Sequence, residues 1–197
     1  MVLIYKINKL VRVFNIETGD VNPFTYTDYN IIQEAQTDIS SALYYNKETK
    51  TYLTLFKKGK PHLYRLFKDN LTLLETICPL IEGLIFEDNN DLLGYVMKEG
   101  ESLAIPHMRD EFNEFLNSIQ PALITLLQIS PHYFYCDIHM DNVISLDNKF
   151  GLIDLSSFIP ISQGNREDIV PNVRNHLTEY GDEVLNLLSS KIARPKI

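Results

Sequence analysis

Long hydrophobic runs are missing from this chain. The longest, "ALITLL", has six residues with Thr125 among them, far short of the roughly 20 a helix needs to cross a bilayer. At the N-terminus, "MVLIYKINKLVRVFNI" sets Lys6, Lys9 and Arg12 within or after its apolar residues, the reverse of a signal peptide. Cysteine is scarce as well. Cys78 and Cys136 are the only two, far apart, each in an apolar context and without metal-ligand spacing. They read as buried free thiols of a reducing compartment, so a cytoplasmic protein is expected. Only 8 Gly and 9 Pro, beside 45% hydrophobic and 22% charged residues, exclude the disordered and low-complexity classes. Positive charge is in deficit: 18 Lys and Arg against 26 Asp and Glu give a net charge of −8. That balance repels nucleic acid and anionic lipid, and neither is expected as a partner. There are no internal repeats and no block of five like charges.

What is present is an ordered chain of 197 residues, enough for one domain or two small lobes sharing a cleft. Its first half reads as strands. "LIYKINKL" alternates, "NIIQEA" and "SSALYYN" are short apolar runs, and "KTYLTLFKKG" alternates strongly. "ETGDVNP", "QTD" and "NKET" between them are turn chemistry, and a hairpin is expected to turn over residues 46–50. One helix is predicted over "PHLYRLFKDNLTLLETI", with Pro61 in its first turn. Two more strands, "PLIEGLIFED" and "DLLGYVMK", follow, turning at "NN". The second half opens on a long helical pattern, "MRDEFNEFLNSIQPALITLLQI", which Pro121 is expected to kink or restart. It closes on one or two helices broken at Pro171 and Gly181.

Between those helices lies "YFYCDIHMDNVISLDNKFGLIDLSS", residues 133–157. It reads as strand, loop, strand, a turn at "DNK", and strand. Asp137, Asn142 and Asp154 emerge from the ends of these apolar strands. By themselves, Asp137 and Asp154 also suit turn or cap positions in an ordinary hairpin.

This segment resembles the protein-kinase-like superfamily, whose catalytic loop H-R-D-x-x-x-x-N precedes a short hairpin and D-F-G. "YCDIHMDN" sets Asp137 and Asn142 at the same spacing, "IDLS" supplies Asp154, and the form D-x-H-x-x-N, with His139, is similar to the aminoglycoside and choline kinase branch. The resemblance implies an α+β, minimal two-lobed fold: a β-rich N-lobe with one helix over residues 1–99, and a truncated helical C-lobe over 100–197. It also implies ATP and Mg²⁺ as cofactors. Asp137 would orient the attacking hydroxyl, while Asn142 and Asp154 would hold the metal against the phosphates. A strand lysine would grip the phosphates, Lys57 or Lys58, with Lys57 favoured, and Glu75 would pair with it. Ser40 and Ser41 would stand in the phosphate loop, and adenine would lie against "YVMKE", at Met97.

The departures are informative. The stretch that should be a glycine-rich loop, "QEAQTDISSALYY", has no glycine. Tyr135-Cys136 replaces the usual His-Arg, and Ser156 stands where D-F-G has its glycine. Forty-three residues (197 minus 154) follow Asp154 in this sequence, so the chain is similar to the minimal effector kinases that bacterial pathogens deliver into host cytosol. Asp168 is a candidate for the family's helix aspartate that bonds the catalytic-loop backbone, against an exposed helix-terminal carboxylate. His107, His132 and His176 are isolated and read as structural or surface residues. The leading expectation is a monomeric ATP/Mg²⁺-dependent phosphotransferase acting on a protein Ser, Thr or Tyr hydroxyl, with a substrate or activating protein as partner. The alternatives are a pseudokinase serving as a binding module and a small-molecule kinase.

Overall fold

The computed structural model describes residues 11–34, 41–60, 63–87, 91–102, 109–129, 132–160 and 178–192. The expected strand "LIYKINKL", the "NN" turn, Pro61, Pro171, Ser40, His107, Asp168 and His176 lie outside them. The chain divides into two compact units, Met1–Leu71 with Pro79–Glu99, and Thr72–Cys78 with Gly100–Ile197. Among the described residues, no helix is long and apolar enough to cross a membrane.

The first unit is built on an antiparallel sheet. Its strands are β1 (Arg12–Asn15), β2 (Val21–Pro23), β3 (Asn30–Gln33), β4 (Ser41–Asn46), β5 (Thr51–Lys60), β6 (Ile81–Phe86) and β7 (Leu92–Lys98), in the order β2-β1-β6-β7-β5-β4-β3. β2 and β3 follow one another in sequence yet occupy opposite edges. Seven residue steps reach about 25 Å at most, whereas six interstrand spacings of a flat sheet need about 29 Å. The sheet is therefore curled. Phe24, Tyr26 and Tyr29 of this crossing link pack on the buried cluster Val11, Leu53, Ile85 and Val96. The opposite face takes α1 (Leu63–Lys68), whose Tyr64 stacks on Phe86 at 3.9 Å and meets Phe14 edge-on at 6.4 Å.

Register explains two local features. β5 slips against β7 between Leu55 and Lys60, so simple alternation does not run unbroken through Lys57 and Lys58. At the start of that slip Gly94 lies so close to the Thr54 carbonyl that a Cβ there would overlap it. No other residue fits.

The single helix predicted over residues 61–77 is two. α1 stops at Lys68 and α2 (Leu71–Ile77) begins after a two-residue turn. Asn70 makes the break, its side-chain amide donating to the Leu66 carbonyl at 2.7 Å and its backbone N–H to Phe67 O at 3.1 Å. Those bonds satisfy carbonyls that the next helical turn would otherwise take.

The second unit holds α3 (Arg109–Gln128), α4 (Thr178–Ile192) and five short strands: β8 (Glu101–Ser102), β9 (Tyr133–Tyr135), β10 (Val143–Leu146), β11 (Lys149–Leu152) and β12 (Phe158–Pro160). α3 runs through Pro121 as one helix, burying Phe112, Phe115, Leu116, Ile119, Leu123, Leu126 and Leu127. The expected restart is absent because tertiary burial on both sides of Pro121 outweighs one missing backbone bond. Likewise α4 continues through Gly181, which is buried. His132, at φ 66°, turns its ring Nδ1 to the Leu127 carbonyl at 3.0 Å and so terminates α3, a structural role. β10 and β11 form the expected hairpin, with Leu146 opposite Lys149. Asp147 and Asn148 between them have φ of 50° and 62°, the two positive angles of a tight hairpin turn that Asn and Asp tolerate. β12, unforeseen from the sequence, pairs with β9.

Candidate functional site

Asp137 lies two residues past the end of β9, and residues 140–142 form one 3-10 turn leading into β10. The turn folds Asn142 back on Asp137. The Asn142 amide nitrogen lies 2.9 Å from the Asp137 carbonyl, 3.0 Å from Asp137 Oδ2 and 3.0 Å from His139 Nε2. An amide has two hydrogens, and the two Asp137 oxygens take both. His139 Nε2 is then the donor to Asp137 Oδ1, 3.2 Å away, and Nδ1 of the same ring faces Asp141 at 3.6 Å. Both carboxylate oxygens of Asp137 are thus held, while 42% of its side chain remains exposed to meet another molecule. Asn142 makes all of these contacts through its side-chain nitrogen, and its side-chain Oδ1 takes no part in them.

Asp154 sits one residue past a backbone tie between the segments: Ile153 N–H donates to the Asn142 carbonyl at 2.9 Å. Its backbone is left-handed, φ 59° and ψ 67°, a conformation that costs most residues about 1 kcal/mol or more but suits Asp and Asn better. The carboxylate caps the turn Leu155–Ser157. Oδ1 accepts from Ser156 N–H at 3.2 Å and from the Ser156 hydroxyl, and Oδ2 accepts from Ser157 Oγ at 2.7 Å. The cap reading of Asp154 is therefore correct as far as it goes: the three donors take both acceptor sites of Oδ1 and one of Oδ2.

Two tyrosines fix this frame. Tyr135 Oη donates to the Ile153 carbonyl at 2.6 Å, and Tyr135 N–H donates to Tyr180 Oη at 2.8 Å. The sequence marked Tyr135 only as a departure and Tyr180 not at all. A tyrosine on a buried helix face carries no local signal of such a role. Cys136 places its N–H on Ser157 O at 2.9 Å. Burial first, then the charges of Asp137 and Asp154, push its thiol up to about 11. It is neutral and inert at physiological pH.

The other expected residues lie elsewhere. Lys57 and Lys58 are both in β5 of the first unit, Lys57 half-buried and Lys58 exposed. Ser41 opens β4, and Met97 is buried in β7 at 6% exposure. Glu75 is exposed on α2, within the second unit.

No family model and no curated protein matches the sequence. Among solved structures, the chain is similar to the kinase domain of maize sucrose-induced receptor kinase 1 bound to AMP-PNP, at 14% identity and a TM-score of 0.42. The match covers 82% of this chain and 63% of that one, so the chain spans under two thirds of that domain's length.

Proposed function

We propose that this chain is an ATP- and Mg²⁺-dependent phosphotransferase that moves the γ-phosphoryl group to an alcohol, with a protein Ser, Thr or Tyr hydroxyl as the acceptor. The observation that carries the reading is local. A half-exposed carboxylate, Asp137, is held by Asn142 and His139, and one backbone bond joins that loop to the residue before a second carboxylate, Asp154.

The donor set fits Mg²⁺. That ion takes one or two protein oxygens and fills its octahedron with water and substrate phosphates. Among the described residues, no group of three or more His, Cys, Asp or Glu is arranged to hold a metal ion alone. Asn142 Oδ1 and the Asp154 carboxylate would be such a sparse set. When bound, the ion would supply neutralising charge for the phosphate oxygens.

Asp137 supplies positioning and a proton acceptor. A lone pair on its carboxylate accepts the acceptor alcohol's O–H, which aims the oxygen's own lone pair outward. As the new O–P bond forms and the bond from the γ-phosphorus to the departing ADP oxygen breaks, the hydroxyl proton passes to Asp137. His139 and Asn142 keep that carboxylate from rotating. Lys57 is our choice for the phosphate-gripping lysine, because Lys58 is the exposed one of the pair. Glu75, Ser40, Ser41 and Met97 complete the proposed nucleotide contacts.

One observation favours a second reading, a pseudokinase that binds partners without transfer. Both Asp154 oxygens already carry serine hydroxyls, which a metal must share. Thermal unfolding with and without Mg·ATP separates the two readings from a chain that binds no nucleotide. A ligand at a hundred times its dissociation constant adds about 2.7 kcal/mol, a shift of several degrees for a domain of this size. Wild type should show that shift and Asp154→Asn should lose it. Transfer from labelled ATP to peptides, or to sugars, choline and aminoglycosides, then decides between catalysis and binding and identifies the acceptor class. No shift at millimolar Mg·ATP would remove the phosphotransferase reading.

A further inference from the structure

The site is tied to the helices of its own unit through one line of hydrogen bonds. Gln120 Oε1, on α3, accepts from the Tyr180 N–H of α4 at 3.4 Å. Tyr180 Oη accepts from Tyr135 N–H, and Tyr135 Oη donates to the Ile153 carbonyl. Tyr135 and Tyr180 are both 0% exposed. Phe158 closes on the Tyr135 ring edge-on at 5.0 Å, so the ring has little freedom to swing.

Strand geometry explains why a side chain is needed here. The Cys136 N–H points to Ser157 O across the β9–β12 pair. In a strand the preceding N–H points the other way, and for Tyr135 that direction is filled by α4. Without the Tyr180 phenol this buried amide would lose its acceptor. The same residue is then fixed at both ends: its backbone by α4, its ring tip on the peptide before Asp154. Asp137 is two residues past one anchor, and Asp154 one residue past the other.

We propose that Tyr180 and Tyr135 are positioning residues, which together hold the Asp137 loop and the Asp154 turn at the spacing the chemistry uses. The assignment of a task to that spacing rests on the phosphotransferase reading above. Burial keeps the Tyr180 phenol protonated well above its ordinary range, so the link is insensitive to physiological pH.

Tyr180→Phe and Tyr135→Phe each remove one hydroxyl and keep the ring. Amide hydrogen exchange on the ligand-free full chain is the first readout. Tyr180→Phe should speed exchange about tenfold or more in both residues 133–142 and 153–157; Tyr135→Phe should do so in 153–157 only. The second readout is the Mg²⁺ concentration giving half the ATP-dependent rise in Tm. It should increase about tenfold in both variants, the usual size of an effect on a metal site's supporting bonds. Exchange changes confined to Tyr135 and α4 would overturn the proposal, as would altered exchange with an unmoved Mg²⁺ midpoint. A wild type that ignores Mg·ATP defeats the phosphotransferase reading, and the exchange pattern still decides whether the two tyrosines set the frame. If Tyr180→Phe does not fold, the Tyr135→Phe pattern alone decides.

Discussion

Two asparagines in this molecule sit at bends beside antiparallel strands and do opposite things. Asn46, at the β4–β5 turn, uses its side-chain oxygen on its own loop, accepting from Glu48 N–H at 2.9 Å and Thr49 N–H at 3.2 Å. Asn142 uses its nitrogen, on Asp137 and toward His139, and not its oxygen. The first arrangement completes a turn. The second braces a carboxylate and leaves the side-chain oxygen out of these bonds. Residue type and loop position are alike in the two cases; what differs is which of the side chain's atoms the loop consumes.

The largest effect that tests this contrast is at the braced carboxylates. Asp137→Asn should lower phosphotransfer by about a hundredfold or more, the scale of a lost general base. It should leave Tm nearly unchanged, since the side chain is 42% exposed. Asp154→Asn should abolish the Mg·ATP shift while preserving the left-handed backbone that Asn tolerates. Full activity in a folded Asp137→Asn protein would return Asp137 to the rank of a turn residue.

Next come effects on affinity. Asn142→Ala should raise the Mg²⁺ requirement about tenfold, and Lys57→Met should weaken ATP binding by a similar factor where Lys58→Met does not. A Lys58 effect instead would mean that the slip in β5 register turns the exposed lysine toward the nucleotide. Asn46→Ala is the counterpart on the structural side. It should cost about 1 kcal/mol, a fall in Tm of roughly 2–4 °C, with no change in Mg²⁺ dependence. If Asn46→Ala moved the Mg²⁺ midpoint as Asn142→Ala does, the distinction between the two loops would collapse.

The sequence made much of this legible where the signal is local. Alternating apolar residues located β5, the run "DLLGYVMK" located β7, the "DNK" turn located the β10–β11 hairpin, and motif spacing singled out Asp137, Asn142 and Asp154. The misses share a physical origin. α1 and α2 split at Asn70 through a side-chain bond that helical periodicity does not register. α3 and α4 continue through Pro121 and Gly181 because burial overrides propensity. β12 and the Tyr180 anchor exist only through partners distant in sequence, β9 in both cases. The Lys57 and Lys58 faces depended on an alternation that the β5 bulge interrupts.

The smallest expected effect reads the electrostatics of the site from inside. Cys136 is half-buried beside Asp137, and its thiol, normally near 9, is raised to about 11 by burial and then by Asp137 and Asp154. Only the thiolate reacts with iodoacetamide, so labelling of the folded chain should be slow at pH 8 and climb until about pH 11. Removing one of the two negative charges should lower the thiol's pKa. Asp154→Asn is thus expected to speed labelling at pH 8 several-fold, and Asp137→Asn to do the same. The stability sign follows as well. The thiol is protonated in the folded chain at pH values where the unfolded thiol has ionised. Its contribution is therefore complete below about pH 9 and is lost as pH rises toward 11. Labelling rates that ignored both substitutions would mean that Cys136 does not feel those charges. The carboxylates would then be more strongly screened than their spacing around one thiol implies.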